Sequence, residues 1–274
     1  MLKAANMHVM QLMTQPVAPP SISTQHLQQL LSVGDWQTGV ASATEGLHRA
    51  RSFVPSPLDQ EKLGLLMSNY QFITWIKSLA SGFIILHDEA ALQRNSSLSI
   101  LSHLSAIIPE ILRVPGMFPL TFFCGLYCTA GNLLEGGHGI MRSLALQLLP
   151  ELKGANLNPP CDPSFIIQGL MMNDLATLRS IFTLLLQNIP AGLVYVIIDG
   201  ACWYATEARS EDMQAVILFL YQLALEVHAA SRGLVLKVMV TNPTSRQRNS
   251  WGFGPCDVYL DQTLLAGGHQ GRIR

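Results

Sequence analysis

The sequence predicts an α/β protein: a three-layer sandwich on a five-stranded, mainly parallel sheet, with a helical N-terminal arm. Three observations carry that expectation. Short unbroken apolar runs such as Val194-Tyr-Val-Ile-Ile198 recur along the chain, as in strands covered on both faces. Longer segments with helical spacing of apolar residues separate them. The 274 residues are 49% apolar and only 13% charged, which suits a large core and excludes a disordered chain.

Residues 1–57 are rich in Gln, Ser and Pro and read as a weakly packed arm, with the core domain over 58–274. Pro16, Pro19 and Pro20 mark a loop, and Thr24 caps a short helix beginning at Gln25. Pro55-Ser-Pro57 is a second loop. A helix over Leu58–Ser78 places Leu63, Leu66, Tyr70, Ile73 and Trp75 near helical spacing. The first strand is Phe83–His87, followed by a polar loop and a helix over Leu98–Leu112 that stops before Pro115. The second strand is Leu120–Cys124, followed by a helix over Gly139–Leu149. A helix over Asp174–Asn188 leads to the third strand, Val194–Ile198. A long helix over Asp212–Ala230 leads to the fourth, Leu234–Val240, and Asp257–Leu260 is the fifth.

Composition narrows the function classes. Seventeen basic against eighteen acidic residues give a net charge of −1, so a nucleic-acid partner is not expected. A surface this poor in charge points to burial by protein partners, or to a piece of a larger protein. Five cysteines without a CxxC pair fit free thiols in a reducing compartment, hence the cytoplasm. Cys124 and Cys128 have ligand-like spacing but no second pair. The opening residues lack a sustained apolar signal core, and Lys3 is the only early charge. Val114–Leu134 and Ser180–Ile198 are uncharged, but Pro, Gly and Asn break both, so buried elements are expected and no membrane span.

Ligands of doubly wound sheets sit at the carboxyl ends of the strands. Val194-Tyr-Val-Ile-Ile-Asp199 has the form of a Walker B strand, which carries a carboxylate to the sheet edge for Mg²⁺. Thr241 and Asn242 end the fourth strand. Gly131-Asn-Leu-Leu-Glu-Gly136-Gly-His138 begins like a phosphate loop, but Gly-His stands where Lys-Ser/Thr belongs and Glu135 opposes phosphate. A thiol nucleophile built from His138 with Cys124 or Cys128 is the weaker thought. No G-x-S-x-G elbow and no G-x-G-x-x-G after a strand is present. Trp203 and Tyr204 read as packing or interface residues, and the Met-rich first thirteen residues as a frayed terminus.

Ile197-Ile-Asp-Gly200, Leu236-Lys-Val-Met-Val-Thr241-Asn-Pro, Thr121-Phe-Phe-Cys-Gly125 and Arg142-Ser-Leu-Ala-Leu-Gln-Leu-Leu149 stand in an order that resembles fungal NACHT-like, or STAND-type, P-loop NTPase domains, over about residues 70–262. The resemblance implies strand order 5-1-4-3-2. It also implies a vestigial nucleotide site at Asp199, Thr241 and Asn242, with Asp199 as the metal ligand if nucleotide binds. The departure lies after strand one. A Walker A loop needs glycines to turn its amides inward and a lysine for the phosphates. His87-Asp-Glu-Ala-Ala-Leu-Gln-Arg-Asn-Ser-Ser97 has neither. Arg94 and Ser96 are poor substitutes, and Asp88 and Glu89 add like charge. The expectation is a non-catalytic interaction or scaffold module without a cofactor, a remnant of a fungal signalling receptor that would continue into a helical lid and repeats. The alternative is an atypical switch binding ATP or GTP with Mg²⁺.

Overall fold

The computed structural model describes residues 20–32, 38–88, 98–112, 114–129, 132, 134–205, 209–230, 233–242 and 256–260, with the backbone alone over 38–42. The chain opens with β1 (Ile22–Ser23), α1 (Thr24–Leu31) and α2 (Thr38–Arg51). α3 (Pro57–Ser68) starts on a capping box in which Ser56 and Asp59 bond reciprocally, with Pro57 at the first helical position. The single helix expected over 58–78 is two helices. Asn69 takes an extended conformation (φ −69°, ψ 122°) and its side chain accepts from Phe72 N–H, which starts α4 (Tyr70–Lys77).

β2 (Gly82–His87) leads to α5 (Ile100–Ile111), whose N-terminus is closed by Ser99 and Ser102. β3 (Met117–Phe123) begins three residues before the expected strand, and Cys124 opens a 3₁₀ turn instead of ending the strand. α6 (Gly136–Leu148), β4 (Asn156–Leu157), α7 (Pro163–Met171) and α8 (Leu175–Asn188) follow. β5 (Gly192–Asp199), α9 (Ser210–Ala230), β6 (Leu234–Asn242) and β7 (Asp257–Tyr259) complete the fold.

β3, β5, β6, β2 and β7 form one five-stranded sheet in that order. Every pairing in it is parallel, with Phe123 opposite Asp199, Ile198 opposite Val240 and Leu86 opposite Thr241. Numbered by appearance and read from the other edge, the order is 5-1-4-3-2, as the resemblance implied. β1 and β4 make a separate antiparallel pair.

Strand alternation divides the core. Val194, Val196, Ile198, Leu236, Val238 and Val240 belong to the larger cluster, with buried residues of α6, α8 and α9. Tyr195, Ile197, Met239, Ile84 and Leu86 face the other way, toward α3, α4 and α5. α9 is long and apolar enough to cross a membrane by length and composition. Its Met213, Val216, Ile217, Leu220, Leu223 and Ala224 are buried.

The expectation of a weakly packed arm fails for its described part. Leu27 and Leu31 of α1 are fully buried in the larger core, and Ala50 of α2 packs with Ala106 and Phe123. Arg142 explains how α1 is held. Its guanidinium, 3% exposed, donates to the carbonyls of Leu30, Leu31 and Leu170 and to Asn173 Oδ1. The last carbonyls of a helix have no partner within it, so one buried cation closes the C-terminal ends of α1 and α7. Lys237 does the same for α4, donating to the carbonyl of Trp75 beneath the indole ring. Burial lowers Lys237 to about 8 and Arg142 to about 10.

Ile197 sits at the centre of the sheet with no exposure. Ile197→Asp buries an unpaired charge and is expected to destabilise the protein by about 4 kcal/mol or more. Thermal unfolding of both proteins checks it; equal midpoints would contradict the burial.

Candidate functional site

β5 ends at Asp199, and Gly200 turns the chain with φ +70°. A side chain at that position would strain the backbone and bring its Cβ within 2.9 Å of Trp203 Cδ1. The carboxyl group of Asp199 therefore stays at the sheet edge, but it does not face solvent: the residue is 1% exposed. Thr241 Oγ donates to Asp199 Oδ1 at 2.6 Å and accepts from Gly200 N–H at 2.9 Å. Ser105 Oγ donates to the same Oδ1 at 3.4 Å, and Ser102 supplies a further side-chain hydrogen bond. Both serines come from α5 and are buried. Burial raises Asp199 to about 6, against the pull of hydrogen bonds from Ser102, Thr241 and Ser105.

Of the three residues singled out in the sequence, the structure brings Asp199 and Thr241 together. Asn242 follows Thr241, so it points to the opposite face of the sheet. There Asn242 Nδ2 lies 3.4 Å from His87 Nδ1, and His87 Nε2 lies 3.0 Å from Asp257 Oδ1. The His87 ring stacks on Tyr259 at 4.5 Å. With Nε2–H donating to Asp257, Nδ1 accepts from Asn242, so one neutral tautomer satisfies both contacts. This group ties β6, β2 and β7 at their carboxyl ends.

Asp88 corrects one expectation. Its charge does not stand free to repel phosphate: Lys62 Nζ of α3 meets its Oδ1 at 2.5 Å, with both side chains at most 3% exposed. Glu89, Arg94 and Ser96 lie outside the described residues, as do the Met-rich terminus and Gly131. In the 131–138 run Gly136 has φ +74° with open space around it, whereas Gly137, and Gly139 just beyond, are glycines for packing. A Cβ on Gly137 would sit 2.8 Å from Asp212 O, and one on Gly139 would sit 2.0 Å from Leu134 O. Glu135 pairs with Arg209 at 2.6 Å and His138 with Asp212 at 3.2 Å. Tyr204 is buried and donates to Leu134 O at 3.2 Å, and Trp203 packs against the larger core.

All five cysteines are free, and burial pushes the Cys124 thiol up, away from thiolate chemistry. Among the described residues, no three His, Cys, Asp or Glu side chains gather to hold a metal ion.

Sequence reasoning missed Ser102 and Ser105. Their signal was present: Ser99 at the N-cap, then Ser102 and Ser105, recur every three residues on a helix whose other buried positions are Ile, Leu, Ala and Pro. Polar groups on a buried helical face need partners, and here the partner is the acid that ends β5.

No family model matches the chain, and no curated protein matches it. The site thus rests on its own geometry.

An acid with a raised pKa holds its proton more tightly in the folded state. Stability then increases as pH falls through about 6 toward the ordinary carboxylate value, and at neutral pH the charged form carries a penalty on the order of 3 kcal/mol. Asp199→Asn removes that penalty while keeping an oxygen for Thr241. The variant is expected to be more stable than the parent at pH 7.5, by up to about 3 kcal/mol, with the gap shrinking by pH 4.5. Unfolding midpoints across that range check it; a gap that does not change with pH would contradict it.

Proposed function

We propose that this chain is a degenerate P-loop-NTPase-like domain of the NACHT-like, STAND-type kind. In this reading it works in the cytoplasm as a non-catalytic interaction or scaffold module, a remnant of a fungal signalling receptor. The observation that carries the reading is the shell of hydroxyls on Asp199. A Walker B acid serves phosphoryl transfer by holding Mg²⁺ or its waters, and Mg²⁺ demands near-ideal octahedral geometry. Here Oδ1 already takes two hydroxyl donors, one at 2.6 Å, and the residue is 1% exposed. A metal ion at Oδ1 would have to displace Thr241 and Ser105 together, which leaves it only Oδ2 of a carboxyl group that is almost fully buried. The residues present do not fit the ion.

The phosphate side gives the same support. The sequence after β2 supplies neither the glycines nor the lysine of a Walker A loop. Lys62, the cation next to that loop's start, is held by Asp88. The sheet order and the neighbouring Asp199 and Thr241 favour descent from an NTPase, and they keep the ATP or GTP switch as the second reading.

Thermal unfolding with saturating ATP-Mg²⁺ or GTP-Mg²⁺ separates the two. A ligand that binds only the folded state raises its stability by mass action. No shift is expected, with Kd no tighter than about 100 µM, about −5.5 kcal/mol. An upward shift that disappears in Asp199→Ala would establish the switch.

A further inference from the structure

α7 runs for nine residues, Pro163–Met171, without a charged side chain. Its inner face buries Ile166 and Leu170. Its outer face and C-terminal end are also apolar: Phe165 is 66% exposed, Met171 78% and Met172 73%. Phe165, Gln168 and Met172 follow one another at i, i+3 and i+7, and line an open groove with Leu175 and His138. Exposed apolar patches of this kind mark interaction sites. Unbranched methionines suit them, because they repack around a partner.

Ionised carboxylates flank the groove, while the Arg142 guanidinium that meets Asn173 and Leu170 is buried. Asp162 caps the start of α7, and Asp174 follows its far end. Hydrogen bonds from Ser164 and from Thr177 hold these carboxyl groups below the usual carboxylate range, so both are ionised at neutral pH. Asp212 pairs with His138 of the groove lining at 3.2 Å. Among the described residues lining the groove there is no Lys or Arg. An anionic lipid surface or a nucleic acid is repelled here.

We propose that this face docks a basic amphipathic helix of a protein partner. The apolar side chains of the partner seat on Phe165 and Met172, in the helix-in-groove mode. Its Lys or Arg residues reach Asp162 and Asp174, which stand at either end of α7, about 14 Å apart by helix rise. This deepens the interaction-module reading and rests on it.

The test uses a fluorescein-labelled helical Leu/Lys peptide of about 14 residues, its Leu/Glu counterpart and anionic vesicles. The Leu/Lys peptide is expected to bind, more weakly as salt rises. Binding should fall at least tenfold in Phe165→Gln/Met172→Gln. It should persist in Tyr70→Gln/Leu79→Gln, which alters other exposed apolar residues. Both pairs are exposed, so the fold should tolerate them, and circular dichroism verifies it. Four outcomes would overturn the proposal: no Leu/Lys binding, equal binding of Leu/Glu, equal loss in both variants, or capture by vesicles through Phe165 and Met172. A dimer lost in Phe165→Gln/Met172→Gln, seen by sedimentation, would assign the face to a second copy and also overturn it. Failure of the broader reading is distinguishable: nucleotide would then stabilise the protein whatever the peptide does.

Discussion

The hydrogen bond from Thr241 to Asp199 joins the carboxyl ends of β5 and β6, the two central neighbours of the sheet. Ser102 and Ser105 extend it to α5, and Gly200 N–H closes it on the turn after β5. A buried carboxyl group is tolerable only when hydrogen bonds replace its water. That requirement fixes α5 over the sheet edge, with its serines inward. The same bonds occupy Oδ1, one of the two oxygens that a metal ion could take. Packing and the proposed function therefore meet at one group.

The cations follow a similar logic. Six charged residues among those described are buried: Asp59, Lys62, Asp88, Arg142, Asp199 and Lys237. Arg142 and Lys237 take up carbonyls at helix ends that lie too deep for water. Lys62 answers Asp88. In a chain with only 13% charged residues, this leaves the surface poorer still in charge. Apolar side chains such as Phe165 and Met172 then stand in solvent with few charged neighbours other than carboxylates.

The sheet was legible in the sequence because its strands are buried on both faces, so runs such as Val194–Ile198 carry no polar interruption. Asp199 was legible because it ends such a run. The rest depended on contacts distant in sequence. Nothing local in α1 announces that Arg142, over a hundred positions later, closes it. The break at Asn69 was hidden because apolar spacing continues across it, while the cap that causes it is a single side-chain hydrogen bond. The pairing of Lys62 with Asp88 joins residues 26 positions apart, so Asp88 read as a free charge. Asn242 was grouped with Thr241 by adjacency, although strand geometry sends the two side chains to opposite faces.

The central claim is that hydroxyls, and not a metal ion, satisfy Asp199. Carbon-13 NMR of the aspartate carboxyl groups, with Asp199→Asn to assign the resonance, measures this directly. The account predicts that Asp199 titrates near 6 and that neither its shift nor its midpoint moves with ATP-Mg²⁺ or GTP-Mg²⁺. A midpoint in the ordinary carboxylate range, or a resonance displaced by Mg²⁺-nucleotide, would contradict it.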